Sequence, residues 1–540
     1  MTQSENRNSK SAVARVWPWL AAVSTGVLLT LCFPRWNQGW LCWVALTPLA
    51  AAAFTPGGPW RRLALGYVSG WVFFTGVFWW LGSLAALYEN PWLLSLPCLL
   101  ALYLALYLAF WAWFIGAVLA TFDPAKPFGS SLRNLALGAL GASAWVAGEW
   151  VRERLFGGFG WNPLGVALHA DLAMVQIAEL TGTPGLSWLV AFSNIMAVII
   201  VRRIFAELGP SFSRRIRWEF SVTMALIAAV FAFGVRRLLH PEPVKTLPLH
   251  AVAVQPNIPQ TDKFDPDAED RVLAELKYET SRALLMPTPP QLLIWPESAI
   301  PAGMFSSQEN FQFVMNFAKE GDFSFLLGTV DFDPHAREDY NTALLLTGRG
   351  SDHQSYRKIH LVTFGEYLPL RPLFGRFLGE LVPGDFTPGR EYTLLHMTDP
   401  PVDLAALICF EDTLGDLTRH FVERGAQVLV NITNDGWFGR TPAAEQQLAN
   451  AVLRAVENRR PLVRCGNTGV TCQVFPSGRV DRVLAPFEAG SAAMDVVVPV
   501  HAGQTFYTRH GDWLSEVAIG VTVLGVVLAT VRKRRSPAGP

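Results

Sequence analysis

Two kinds of hydrophobic pattern run along the chain, and the change from one to the other divides it. Up to about residue 235 the apolar runs are long and nearly unbroken, at 13–33, 40–54, 63–84, 92–121, 135–150, 183–201 and 218–234, and one more follows at 513–531. A hydrocarbon core about 30 Å thick takes about 20 helical residues. Most of these runs are that long; 40–54 and 135–150 are the short ones. From His250 the period shortens. Apolar and β-branched runs at 249–254, 292–295, 325–330, 342–346, 404–409 and 428–432 predict strands. Helical stretches at 267–285 and 441–458 lie between them, and 463–475 and 479–484 predict closing strands around a Pro476-Ser477-Gly478 turn. The expected architecture is a polytopic α-helical membrane domain joined to an α/β domain, an α-β-β-α sandwich.

Basic residues orient the first part. Arg7, Lys10 and Arg15 precede the first run, Arg61 and Arg62 fill the second connection, and Lys126 and Arg133 the fourth. Arg202, Arg203, Arg214, Arg215 and Arg217 fall in the sixth, and Arg532 to Arg535 form a basic tail. Because cytoplasmic loops carry the excess of Lys and Arg, both termini are expected in the cytoplasm and the long segment between the seventh and eighth spans outside it. The expected divisions are a cytoplasmic tail at 1–11, seven transmembrane helices in 12–235, an extracytoplasmic domain at 236–512, an eighth helix at 513–531 and a cytoplasmic tail at 532–540. The first run is read as an uncleaved helix, since no small-residue cleavage site follows it and another apolar run does.

Composition agrees with a membrane protein. Charged residues make up 16%, against about 25% in soluble domains, and the chain holds 20 Trp and 35 Phe. A formal charge of zero gives no nucleic-acid footprint. The six cysteines have no paired CxxC spacing, which excludes the common zinc frameworks; Cys465 and Cys472 read as buried free thiols, with pairing the alternative for a domain outside the cytoplasm.

Three apolar runs in the second part end on reactive residues. Leu404 to Ile408 delivers Cys409, followed by Phe410 and Glu411; Leu292 to Trp295 delivers Glu297; and the stretch from Tyr356 carries Lys358 and, eight residues on, Glu366. An α/β fold exposes its chemistry where strands end. A thiol attacks as thiolate, which an ammonium favours, while a carboxylate can take the proton and return it to a leaving group.

In that order, Glu297, Lys358 and Cys409 resemble the triad of the carbon-nitrogen hydrolase (nitrilase) superfamily over roughly residues 248–500, together with the loop from Asn431 to Gly439. The resemblance implies a nitrilase-like fold with Glu297 as general base, Lys358 as oxyanion partner and Cys409 as nucleophile. With the apolar spans added, the chain is similar to the apolipoprotein N-acyltransferases. That likeness is carried by Gln255-Pro256-Asn257-Ile258-Pro259-Gln260 at the domain's start, the lysine loop from Lys358 to Pro369, and Glu149-Trp150 with Gly158 to Gly165 in the membrane part. It implies a bacterial inner-membrane enzyme with its catalytic domain on the periplasmic side. A phospholipid would donate an acyl chain to Cys409 as a thioester, and the α-amine of a diacylglyceryl-cysteine apolipoprotein would accept it. No cofactor, metal or nucleic acid is implied, and a monomer is expected. Glu366 would orient the lysine or share proton transfer, and Glu411 occupies a matching position near the nucleophile.

Substrate access is assigned to Phe264, Trp437 and Trp161. Trp161 lies in a glycine and aromatic segment suited to the membrane interface. Three positions depart from the family's usual residues: Phe410 for Tyr, Phe264 for Trp and Thr363 for Pro. Two other readings use the same residues. One is a membrane-tethered amidase or nitrilase that lets water resolve the acyl-enzyme; the other is a non-catalytic membrane scaffold.

Overall fold

The structure is a computed structural model that describes residues 3–122, 128–206, 218–263, 265–300, 303–379 and 384–535. The chain forms two compact units. One comprises residues 1–82, 92–239 and 512–540, the other 83–91 and 240–511.

The first unit is helical. Among the described residues, five helices are long and apolar enough to cross a membrane: Arg15–Cys32, Pro91–Leu119, Ala178–Phe205, Trp218–Leu239 and Trp513–Val531. A sixth candidate, Pro59–Val77, bends by 54° into Trp79–Leu87. The two short expected runs differ from the rest for separate reasons. Ser131–Arg154 has 24 residues, but Arg133, Glu149, Arg152, Glu153 and Arg154 lower its apolarity. Gly39–Ala53 is apolar but only 15 residues long, about 22 Å at 1.5 Å per residue, and is broken into two short α-helices. The backbone groups freed at that break are met by one buried side chain. Asn194 Oδ1 accepts from the Leu46 and Thr47 amides at 2.9 and 3.1 Å, and its Nδ2 donates to the Cys42 carbonyl at 2.8 Å. Broken helices within lipid require such internal satisfaction. Gly66 and Gly70 let Pro59–Val77 approach Leu96–Leu119 closely; a Cβ on Gly66 would lie 2.3 Å from the Leu108 carbonyl oxygen.

The second unit is two six-stranded sheets with helices on the outside. In chain order its strands are β1 (Thr246–Gln255), β2 (Leu292–Ile294), β3 (Ser324–Asp333), β4 (Glu338–Thr347), β5 (Asp352–Arg357), β6 (Leu395–Thr398), β7 (Pro401–Ile408), β8 (Val428–Thr433), β9 (Leu462–Gly466), β10 (Cys472–Val474), β11 (Val480–Arg482) and β12 (Gly490–Pro499). The sheet orders are β12-β1-β2-β3-β4-β5 and β11-β10-β9-β8-β7-β6. The run β1-β2-β3 is parallel, as is β7-β8-β9, so the carboxyl ends of their strands collect on one edge of each sheet.

One face of the first sheet packs on the helices Glu269–Leu284 and Gln308–Lys319. Val252, Val254, Leu293, Trp295, Phe325 and Leu327 meet Leu276, Val314 and Phe317 in a dry core. Between the sheets, the Cys465 thiol of β9 reaches the Val254 and Ile294 carbonyls at 3.4 and 3.5 Å. Cys465 and Cys472 are both buried and free. Three strands lie outside the expected set: β5, β6 and β12. β12 pairs with β1 over all ten residues.

Candidate active site

Each expected triad residue sits just past a strand end. Glu297 follows β2 after Pro296, and the next residue, Ser298, has φ 46°. That turn runs against β3, where a Cβ at Gly328 would fall 2.6 Å from the Glu297 Cα, so only glycine lets the carboxylate's backbone pass. Lys358 follows β5; its amide donates to the Asn341 carbonyl at 2.8 Å and its carbonyl accepts from the Gly389 amide at 2.7 Å. Cys409 follows β7 at the first position of a 3₁₀ turn, Cys409–Thr413, with φ 52°. A non-glycine residue held there costs on the order of 1–3 kcal/mol and persists only where its surroundings enforce it.

That enforcement is visible. The Cys409 carbonyl accepts from Asn431 Nδ2 at 3.0 Å and Gln447 Nε2 at 2.7 Å. Behind them, Arg464 is fully buried and holds Asp412 at 2.6 Å, Asn431 Oδ1 at 3.1 Å and Asp435 at 3.0 Å. Gln447 completes the ring by also donating to Asp412 at 3.0 Å. Burial pushes the Asp412 carboxyl up to about 7, against the pull of Arg464.

The charged groups converge. Lys358 Nζ lies 2.8 Å from Glu366 and 3.8 Å from Glu297. Asn341 Nδ2 donates to both carboxylates, each at 2.8 Å. The second Glu297 oxygen accepts from the Asn434 amide at 3.0 Å, and the second Glu366 oxygen from the Val362 amide at 2.8 Å. Burial alone would lower the Lys358 ammonium, but Glu366 and Glu297 together hold it above its ordinary range. The Cys409 thiol is raised well above its ordinary range, first by burial and then by Glu297, with Lys358 opposing. At rest the nucleophile is therefore a thiol beside a carboxylate, and its proton leaves only as attack begins.

Glu411 was expected near the nucleophile, and its function in the fold is to tie two loops. Its fully buried carboxylate accepts from Tyr356 Oη at 2.7 Å, the Ile359 and His360 amides at 2.9 and 3.1 Å, and the Ile408 amide at 2.8 Å. One side chain thereby joins the lysine loop to the strand that carries Cys409. Phe410 is buried and stacks on His360 with centroids 5.6 Å apart. Trp437 lies half-buried in the turn Asp435–Phe438. Trp161 belongs to the helical unit, buried against Trp80 at 5.3 Å. Phe264 lies outside the described residues.

Two members of the site were not expected from the sequence. Asn341 lies one residue before the expected strand 342–346. Lys263 is fully buried and donates to the Glu297 carbonyl at 2.8 Å. The only signal for either was proximity in sequence, Lys263 lying three residues beyond the Gln255–Gln260 motif.

Residues 25–196 match the apolipoprotein N-acyltransferase N-terminal domain, and residues 254–497 match the carbon-nitrogen hydrolase domain. The apolipoprotein N-acyltransferase of Geobacter metallireducens is 33% identical over 522 residues, covering 95% of this chain and 96% of that protein. The chain belongs to the apolipoprotein N-acyltransferase family. The Brucella melitensis apolipoprotein N-acyltransferase is 31% identical over 545 residues, again covering 95% of this chain and 96% of that protein. Among solved structures, Saccharomyces cerevisiae Nit3 covers 47% of this chain and 91% of its own at 16% identity, with a TM-score of 0.35. An amidase from Nesterenkonia covers 50% and 95% at 19% identity, with a TM-score of 0.36. As a family member the chain is a membrane enzyme with a nitrilase-type domain, and the Glu297, Lys358 and Cys409 side chains fall within the matched hydrolase region.

Proposed function

We propose that the protein transfers an acyl chain from a phospholipid to the α-amine of a diacylglyceryl-cysteine at an apolipoprotein's N-terminus, through a thioester on Cys409. The observation that carries this reading is the presence of Glu297, Lys358 and Cys409 in one group, the two charged residues buried and the cysteine half-buried, in a chain of this family that also has a membrane-helical unit.

In the first half-reaction Glu297 takes the Cys409 proton while sulfur attacks the ester carbonyl. The developing oxyanion is met by the Lys358 ammonium, which its two carboxylates keep protonated. Collapse breaks the ester C–O bond, Glu297 protonates the leaving alkoxide, and a lysophospholipid departs. In the second half, the neutral α-amine attacks the thioester and Glu297 takes the amine proton. The C–S bond then breaks, the amide leaves, and the proton returns to sulfur. An amine outcompetes water for a thioester where water is kept out, which a buried site favours. Glu366 acts as the orienting partner of Lys358, and Glu411 fixes the lysine loop against the nucleophile's strand.

The reading includes eight membrane crossings, the short apolar segment 39–53 and the longer, more charged helix 131–154 counted with the six candidates, both termini in the cytoplasm, and the catalytic unit on the periplasmic face of the inner membrane as a monomer. Product analysis with phospholipid and a diacylated lipopeptide tests it. N-acylated peptide is expected with lysophospholipid; free fatty acid without acylated peptide would assign the site to hydrolysis instead. Cys409→Ala at normal abundance is expected to lose both products, whereas a scaffold would be indifferent to it.

A further inference from the structure

Lys263 occupies a place that a structural lysine rarely takes. It ends the short helix Gln260–Lys263, is fully buried, and gives its ammonium the main-chain carbonyl of Glu297 at 2.8 Å. Among the described residues no carboxylate lies within ion-pair distance of it. An ammonium buried against one carbonyl is costly, and a neutral donor could make the same bond at lower cost.

Charge counting around the triad shows what the ammonium adds. Glu297 and Glu366 carry two negative charges and share Lys358, so this group alone is left with one excess negative charge beside the thiol. An uncompensated carboxylate there opposes thiolate formation. Counted with these three groups, Lys263 brings their sum to zero. The charged and titratable groups that act on it are Glu297, past the end of β2, and Cys409, past the end of β7. Those that act on Cys409 are Glu297, Lys358 past β5 and Asp435 past β8. Burial brings the Lys263 ammonium down from 10.5 to about 8 against the pull of Glu297 and Cys409, so it is still charged at neutral pH.

We propose that Lys263 is a positioning residue of this site, whose ammonium fixes the Glu297 main chain and balances the second carboxylate, so that the thiol can give up its proton. The inference rests on the acyl-transfer reading for its consequence in turnover, but its test does not.

The test is the pH profile of Cys409 alkylation by iodoacetamide in the full-length, detergent-solubilised protein, for the wild type, K263Q, K263M and K263R. K263Q keeps a donor without charge, K263M keeps neither, and K263R keeps the charge. The expected result is that K263Q and K263M shift the profile alkaline by about one pH unit, with alkylation at pH 7 slowed about tenfold, while K263R stays at the wild-type position. A K263Q profile that overlays the wild type overturns the proposal, leaving Lys263 a structural prop. Should K263Q fail to fold, K263R decides: a wild-type profile supports the charge role, and an alkaline shift as large as that of K263M overturns it. Thioester formation from phospholipid by the wild type, measured in parallel, separates this outcome from failure of the acyl-transfer reading.

Discussion

Glu411 offers the most direct test of how the site is assembled. Its carboxylate takes four hydrogen bonds, three from the lysine loop side (Tyr356, Ile359 and His360) and one from Ile408 at the end of β7. Glu411→Ala removes the acceptor of four donors, of which the Tyr356 hydroxyl and the Ile408 amide are buried. At about 1–3 kcal/mol for each buried orphaned group, the loss is on the order of 2–6 kcal/mol, a large part of the stability of a domain. The alanine variant is expected to unfold at a markedly lower temperature than the wild type. Glu411→Gln is milder. One oxygen can keep the Tyr356, Ile359 and His360 bonds, while the new amide faces the Ile408 N–H as a second donor. Burial already raises the Glu411 carboxyl, so loss of its charge is the smaller part of the change. One repelled donor costs about 2 kcal/mol, which lowers the thermal midpoint by about 4–8 °C in a domain of this size. Because that bond is the one reaching β7, acylation of Cys409 should slow more than the midpoint shift alone explains. Thermal unfolding in detergent and incorporation of an acyl-labelled phospholipid into the protein read the two effects. A glutamine variant with wild-type midpoint and acylation rate, or an alanine variant with a wild-type midpoint, would refute the claim that Glu411 holds the lysine loop to the nucleophile.

Other outcomes follow from the same geometry. Lys358→Met removes the cation beside Glu297 that opposes the rise of the Cys409 thiol, so its alkylation profile moves to higher pH and thioester formation falls on the order of 10²–10³-fold; an unchanged alkylation profile contradicts the assigned contact. Arg464→Met leaves Asp412 and Asp435 buried without their cation and is expected to destabilise the unit by about 3–5 kcal/mol in thermal melts, whereas a near-wild-type midpoint would show the network to be dispensable. For Lys263 the sign follows from linkage. The unfolded chain holds its proton up to about 10.5 and the folded one only to about 8, so between these values the unfolded state binds more protons and stability rises with pH. Relative to K263M, the wild type should gain up to about 3 kcal/mol as pH rises through that window; a constant difference between the two midpoints contradicts it.

The strand-end chemistry was legible because reactive residues interrupt apolar runs there: Cys409 after Leu404–Ile408 and Glu297 after Leu292–Trp295 stand out against their surroundings. Lys358 was placed by its order between them, though its strand was not. β5 reads Asp352-His-Gln-Ser-Tyr-Arg357 and is mostly exposed at the sheet's edge, so it lacks an apolar run. β12 alternates buried and exposed positions from Ala492 to Val498, a period that Ala493, Asp495 and Val497 blur because two of the three are apolar. Asn341 and Lys263 could not be found by pattern at all. Their roles come from burial, and burial of a polar residue is decided by what folds over it. In the helical unit, apolar length alone did not foresee the broken segment 39–53, whose backbone is satisfied by Asn194, about 150 residues away in sequence.

The central claim is that Cys409 carries the acyl chain. Mass spectrometry of the purified protein after incubation with phospholipid alone measures it directly. The account predicts one fatty acyl chain on the Cys409 peptide, released by hydroxylamine and lost when diacylated lipopeptide is added. Protein that acylates lipopeptide while Cys409 stays unmodified, or that carries its acyl group on another residue, would contradict it.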